Sequence, residues 1–322
     1  MDSYSNELKN QIQELREEFE EYKKELDGKI DTANFLFETY YLDYKNNNAK
    51  SILNYIQLIS TELLVFVQNI CKEYDIEWWL DYGNLLGAVR HGNYVPWDDD
   101  VDIGMMRSDY LKFDKIFAKE IKKYGLDDIV EMGYRPRGWK GETINSFIQI
   151  YVRHKIAKSG NRRPILGSVD VFPYDFLVDY DKNTIEDDFI TAKHNYFNRK
   201  KNHFNLQFCI DEYYEKLNLS FEKTDLIIAG AETGCGPDEI YDLAIFDTNK
   251  IFPLAEIEYG DEIFYCPNDV DHYLNIVYGN YLSIPKSLYR HNRQDGYRYN
   301  ADNDEVFGKC LKRLQEVNEF FE

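Results

Sequence analysis

Asp98, Asp99, Asp100 and Asp102 put four carboxylates within five positions, and crowding of that kind serves cation binding. Residues two apart on a strand point to the same face, so Asp100 and Asp102 can reach one point in space. Asp98 shares their parity, whereas Asp99 points away if the strand extends that far back. Like charges held so close repel strongly unless a cation sits between them. Oxygen-only ligands select a hard ion, Mg2+ or Mn2+. Most acidic runs are solvated turns or helix caps. Here Val101 and Ile103 flank Asp102, and a solvated turn has no reason to run into apolar alternation.

A third carboxylate would complete such a centre. Ser168-Val-Asp170-Val places Asp170 between β-branched residues on a strand, where a charge is disfavoured unless something satisfies it. The competing reading is an Asp at a strand end bonded to backbone amides. Upstream, Gly83-Asn84 lies between a strand and a helix start, where free amides and the helix dipole favour an anion such as a donor phosphate. Arg90 follows one and a half helical turns later, and either reaches that phosphate or pairs with the aspartates. Arg137, Lys140 and Arg153 are further basic candidates for a diphosphate. Trp78, Trp79, Trp97 and Trp139 could cage a trimethylammonium group, although aromatic residues are far more often core.

The elements that must position these residues alternate in type. Residues 6–30 read as a helix whose Leu8, Ile12, Leu15, Phe19, Tyr22 and Leu26 follow an a/d heptad seam. Such a seam either zips two subunits into a homodimer or packs on its own core. A second helix spans roughly 47–74, and Ile76–Asp81 reads as a strand with Gly83 marking the turn after it. A short helix over Asn84–His91 would be capped by Asn84. A strand over Val101–Met105, a helix over Asp109–Lys123 and strands at 128–132, 145–153 and 168–173 follow. Helices are expected over Ile185–Asn202 and Asp211–Lys216, then a segment punctuated by Pro and aromatic residues at 251–285. The core therefore reads as mixed α and β, with helical regions before and after it.

Composition narrows the classes. A chain of 322 residues that is 43% hydrophobic, with 27 Tyr and 20 Phe, can bury a sizeable core. A formal charge of −20 argues against nonspecific nucleic-acid binding, which needs a Lys/Arg excess. The N-terminus lacks the apolar region of a signal peptide, and no run reaches the roughly 18 apolar residues of a membrane helix. Ile52–Ile70 comes nearest, interrupted by Asn54, Gln57, Ser60, Thr61, Glu62 and Gln68. The five scattered cysteines form no CxxC pair, a pattern of reduced thiols in a cytoplasmic protein.

The run GNLLGAVRHGNYVPWDDDVDIGM closely resembles the LicD family of phosphotransferases, which includes fukutin-type ribitol-phosphate transferases. VDVFPYDFL, IFPLAEIEYGDEIFYCPND and VYGNYLSIPK look similar too, so the resemblance touches stretches from about 78 to 286 and leaves out the N-terminal helix. It implies an α+β, nucleotidyltransferase-like mixed sheet flanked by helices. Three regions follow: a heptad helix over 1–30, a catalytic core over 31–180, and a mostly helical region over 181–322. In the family pattern Gly83 and Asn84 match the phosphate-binding turn, Asp100 and Asp102 the carboxylate pair, and Asp170 the third carboxylate. Asn84 departs from the usual small hydroxyl residue, and Asp98 or Asp99 matches a further ligand or base.

The same resemblance implies a CDP-activated alcohol donor such as CDP-choline, CDP-ribitol or a CDP-glycerol-like molecule. The acceptor would be a hydroxyl of a surface glycan, teichoic acid, or lipid-linked lipopolysaccharide precursor. A lipid-linked acceptor would place the enzyme at the inner face of the membrane. Three other readings stand beside it: a nucleotidyltransferase releasing pyrophosphate, a non-catalytic dimeric scaffold in a glycan-assembly complex, and a glycosyltransferase using its DxD motif. The Gly83-Asn84 turn and the third aspartate fit the last of these less well.

Overall fold

The computed structural model describes residues 11–30, 52–139, 142–153, 165–233, 243–283 and 301–321. Two units divide the chain, one holding α1 (residues 11–30) and residues 280–283, the other the remaining described residues. The heptad residues Ile12, Leu15, Phe19, Tyr22 and Leu26 are all exposed on α1.

The second unit begins with α2 (Ile52–Glu73), β1 (Trp79–Leu80), α3 (Tyr82–His91), β2 (Val101–Met106) and α4 (Arg107–Lys123). There follow β3 (Val130–Trp139), β4 (Glu142–Val152), β5 (Gly167–Leu177), α5 (Ile185–Lys201) and α6 (Leu206–Leu217). The chain continues through β6 (Leu219–Ser220), β7 (Leu226–Ala229), β8 (Ile245–Asp247) and α7 (Thr248–Ile251). It ends with β9 (Ala255–Tyr259), β10 (Glu262–Cys266), α8 (Val270–Tyr278) and α9 (Ala301–Asn318).

One mixed sheet runs in the order β1-β2-β5-β4-β3. β2 and β5 are parallel, and their register sets Asp102 opposite Asp170. β4 pairs antiparallel with β5 as far as Val171, and β7 takes over along Tyr174–Leu177. β8 pairs with β7, and β6 adds a short pairing at the end of β5. β9 and β10 form a separate hairpin whose Gly260 adopts a positive φ of 64° in the two-residue loop.

β5 is buried along nearly its whole length, as expected of a central strand covered on both faces. α2 covers it with Ile56, Ile59, Leu63, Leu64, Phe66 and Val67, each fully buried. A side chain of this kind contributes about 1.5–3 kcal/mol when buried. α9 lies against α2 through Phe307 and Leu314. The Phe66 ring meets those of Phe117, Tyr124 and Phe321.

Several boundaries differ from the sequence expectation. The strand expected over Ile76–Asp81 shrinks to Trp79–Leu80, and Asp81, whose amide still donates to the Asp102 carbonyl at 2.9 Å, becomes the cap of α3. α3 begins at Tyr82 with Asp81 as its N-cap, so Asn84 lies inside the first turn and is not the cap. β3, β4 and β5 run longer than expected. The region after 181, expected to be mostly helical, also supplies the five strands β6–β10. No described helix is long and apolar enough to cross a membrane.

Candidate functional site

Asn84 ties the start of α3 to the carboxylate run. Its Oδ1 accepts the Asp102 amide at 2.6 Å, while its Nδ2 donates to the Asp100 carbonyl at 3.3 Å and the Tyr259 hydroxyl at 2.9 Å. The residue is 1% exposed. Both amide hydrogens are therefore spent inside the protein, and Asn84 positions the Asp100–Asp102 backbone in place of presenting a donor to a phosphate. Asp81 takes the amides of Tyr82, Asn84 and Leu85, the first through its carboxylate and the others through its carbonyl. Of the first four amides of α3, that leaves the Gly83 N–H as the one Asp81 does not occupy.

Gly83 also makes room for Asp98. A Cβ built on Gly83 would stand 2.7 Å from Asp98 Oδ2, so only glycine lets the helix come this close to the carboxylate. Asp98 closes a turn through its amide to the Val95 carbonyl at 2.9 Å, with Trp97 half-buried in that turn. Gln57 of α2 donates to the Asp98 carbonyl at 2.9 Å. Tyr94 donates to the Gln57 carbonyl at 3.1 Å and accepts from Thr61 at 3.3 Å. Ser60 accepts the Ser168 amide at 3.0 Å at the start of β5. Three of the polar residues that interrupt the apolar face of α2 thus hold the loops and strand that carry the aspartates. The interruptions are plain in the sequence, but their purpose is not.

β2 begins at Val101, so Asp98, Asp99 and Asp100 precede the strand and Asp102 is on it. Asp98 and Asp100 stand close enough for the charge of Asp100 to act on the Asp98 carboxyl. Asp99 and Asp100 are buried and Asp98 and Asp102 half-buried. Asp170, opposite Asp102, accepts from Gln149 Nε2 at 2.7 Å. Burial, then the charges of Asp100, Asp170, Asp98 and Asp81, push the Asp102 carboxyl well above the usual carboxylate range. Burial and Asp100 do the same to Asp98.

These donors fit a hard divalent ion by chemistry: all are carboxylate oxygens, and their mutual repulsion is what a bound cation relieves. Among the described residues, no three carboxylate, His or Cys groups already stand in ligating geometry. Asp102 and Asp170 are neighbours by register, and Asp98 and Asp100 are near enough in space to repel one another.

Beneath this cluster Asp81 is fully buried. Tyr174 donates to its Oδ2 at 2.8 Å and Tyr273 donates to its Oδ1. Burial pushes its carboxyl up to about 6 against the pull of those tyrosines. Tyr278, the last residue of α8, carries no signal in the sequence that marks it as a site residue. It remains 41% exposed, yet desolvation and the Asp102, Asp98 and Asp81 carboxylates hold its phenol well above the ordinary range.

Other expected residues lie elsewhere. Arg90 is half-buried in the last turn of α3, about 9 Å along the helix from Asn84 at 1.5 Å per residue. Arg153 sits 3.5 Å from Glu131 with its guanidinium 4.3 Å over the Tyr151 ring. Trp78 and Trp79 are buried against Phe264, Tyr265, Tyr174 and Phe252, so they are core and form no cage. The side chains of Arg137 and Trp139, and Lys140 altogether, lie outside the described residues. Cys71, Cys209, Cys266 and Cys310 are buried free thiols.

A mixed sheet with aspartates paired across two parallel strands, and a helix start pinned to the same place, defines a class of α/β domain built round a carboxylate centre. The LicD/FKTN/FKRP nucleotidyltransferase domain matches residues 75–210, which span α3, β2 and β5, so this stretch of the chain is similar to the LicD family. It is 28% identical over 120 residues to the lipopolysaccharide cholinephosphotransferase LicD of Haemophilus influenzae, covering 37% of this chain and 43% of that protein. An uncharacterised protein of Rickettsia prowazekii is 36% identical over 110 residues, 34% of this chain and 36% of its own length. Human ribitol 5-phosphate transferase FKRP is 43% identical over 44 residues, 14% of this chain and 9% of that protein. The matches thus span less than half the length of each of these relatives.

Proposed function

We propose that this protein is a metal-dependent transferase that moves a phospho-alcohol group, phosphocholine foremost, from a CDP-activated donor to a glycan hydroxyl, releasing CMP. The observation that carries this reading is the Asp102–Asp170 pair set side by side by the β2–β5 register, with Asp98 and Asp100 at the mouth of β2. Relatives named as a cholinephosphotransferase and a ribitol 5-phosphate transferase support the reaction class. The acceptor is a surface glycan, teichoic acid or lipopolysaccharide precursor, met on the cytoplasmic side at or near the membrane.

Asp100, Asp102 and Asp170, with Asp98 or Asp99 beside them, are the residues that would hold Mg2+ or Mn2+. When bound, such an ion offsets the charge that builds up on the transferring phosphoryl group and the departing CMP. The acceptor oxygen attacks the phosphorus that bears the alcohol, the bond from that phosphorus to the CMP oxygen breaks, and the hydroxyl proton passes to a carboxylate. Asp170, steadied by Gln149, is the group we assign to that proton if it does not serve as a ligand. The Gly83 amide at the start of α3 faces the donor phosphates.

The test is incubation with a panel of CDP-alcohols and Mn2+ or Mg2+, following CMP with and without candidate glycans. CMP release that needs the metal, and is fastest with CDP-choline, supports the reading. Pyrophosphate release from a nucleoside triphosphate would assign the centre to nucleotidyl transfer instead. No metal-dependent binding of any CDP-alcohol would overturn both.

A further inference from the structure

The exposed face of α1 has a partner written into its charges. Ile12, Phe19 and Leu26 take the a positions of a heptad and Leu15, Tyr22 and Lys29 the d positions. The five apolar members of that seam are between 44% and 64% exposed, in a stripe running the length of the helix. Gln13, Glu14, Glu17, Glu20, Glu21, Lys24 and Asp27 take all of the outer b, c and f positions but the c position of Gly28, so the face opposite the apolar stripe is polar. An amphipathic helix of about 20 residues is marginal in water until such a face is covered. The seam stops at Lys29, which turns back to Glu25 in an intrahelical ion pair of 2.9 Å.

Orientation follows from the residues flanking the seam. The g positions are Gln11, Glu18 and Glu25, and the e positions are Arg16, Lys23 and Ile30. In a parallel pair, each g residue faces the e residue of the next heptad on the other helix. That sets Glu18 against Lys23 and Gln11 against Arg16, twice over by symmetry. In an antiparallel pair g faces g and e faces e, which sets glutamates against glutamates and Arg16 and Lys23 against cations. A chain of net charge −20 repels its own copies, so an association must be specific to overcome that field. We infer that α1 pairs with the α1 of a second copy of this chain as a parallel, in-register two-stranded coiled coil.

Sedimentation of the full chain over about 1–100 μM covers the range in which so short a seam is expected to dissociate. The expected result is a reversible dimer of twice the 38.3 kDa chain mass. Leu15→Glu with Phe19→Glu should weaken it about tenfold or more. The thermal transition of the second unit should stay in place, which shows that the variant is folded. Glu18→Lys alone and Lys23→Glu alone should each weaken the dimer, because each sets like charges across the seam. Together they should restore it, since only the parallel arrangement exchanges one attractive pair for another. A monomer at every concentration, or a dimer indifferent to the Leu15/Phe19 change, would overturn the pairing. A double charge exchange that fails to restore the dimer would overturn the parallel orientation.

Discussion

Asp102 is held by its own amide: the bond to Asn84 Oδ1 fixes the strand on which its carboxylate must stand. Replacing Asp102 with Asn removes one charge from a crowded set and keeps the side-chain volume. Turnover should fall by about 100-fold or more while the thermal midpoint holds or rises. Full turnover in this variant, with the metal still required, would remove Asp102 from the site. Gly83→Ala separates positioning from folding more sharply. Alanine improves helix propensity by up to about 1 kcal/mol, but its Cβ would meet Asp98 Oδ2 at 2.7 Å and push that carboxylate aside. Stability should be unchanged within about 1 kcal/mol while turnover drops about tenfold; thermal melts and CMP release on one sample decide it. The strand placement of Asp102 and Asp170 is legible in the sequence, because a carboxylate set between β-branched residues is costly to bury unless a ligand or partner meets it. The roles of Gln57, Ser60 and Thr61 are not, since a polar residue on an apolar helix reads the same whether it meets water or a distant backbone. Tyr278 is hidden for a similar reason: only the tertiary fold brings it near Asp102.

β2 bears the site and rests on β1 at one point of very close contact. Gly104 lies opposite Trp79, and a Cβ there would come within 2.5 Å of the indole. The ring is fully enclosed and cannot swing away, so Gly104→Ala should cost about 1–3 kcal/mol by overpacking. Because Asp102 is two residues away on the same strand, turnover should fall together with stability, whereas Gly83→Ala lowers turnover alone. Urea unfolding midpoints of the two variants, measured beside their turnover, test the contrast. An unchanged midpoint for Gly104→Ala would show that β1 yields more readily than its burial implies. The major elements of this sheet are readable from periodicity, and their ends are not. Asp81 illustrates why: the same residue satisfies a strand pattern and an N-cap pattern, and the cap prevails because Tyr174 and Tyr273 reach its carboxylate. β6 and β8 are two and three residues long, too short for alternation to register. They form because β5 and β7 offer them open edges.

Charges distant in sequence also tie the second unit together through one buried guanidinium. Arg107, at the start of α4, donates Nε and Nη2 to Asp175 at 2.8 Å each and Nη1 and Nη2 to Glu232 at 2.8 and 2.9 Å. Tyr214 of α6 donates to Asp175 and Tyr196 of α5 to Glu232, each at 2.5 Å. Lys193 donates to the neighbouring Thr233 carbonyl at 2.9 Å. One cluster therefore joins α4, β5, α5, α6 and the turn after β7, none of which is adjacent to all the others in sequence. Burial alone would raise the Glu232 carboxyl, but Arg107, with Lys200 and Tyr196, pulls it down to about 2 from the ordinary 4.5. A depressed carboxylate contributes stability that is fully present above its unfolded value and is lost as pH falls through its folded value. The window is thus pH 4.5 to about 2, and the contribution at neutral pH is on the order of 3 kcal/mol. Glu232→Gln keeps the shape and removes the titration. Its unfolding free energy should lie below that of the parent at pH 7, and the gap should close steadily on acidification through that window. Denaturant melts at pH 7, 4.5, 3.5 and 2.5 follow the closure. A gap that stays constant down to pH 2.5 would mean that the Glu232 carboxylate gains nothing from Arg107 and that the cluster joins these elements by shape alone.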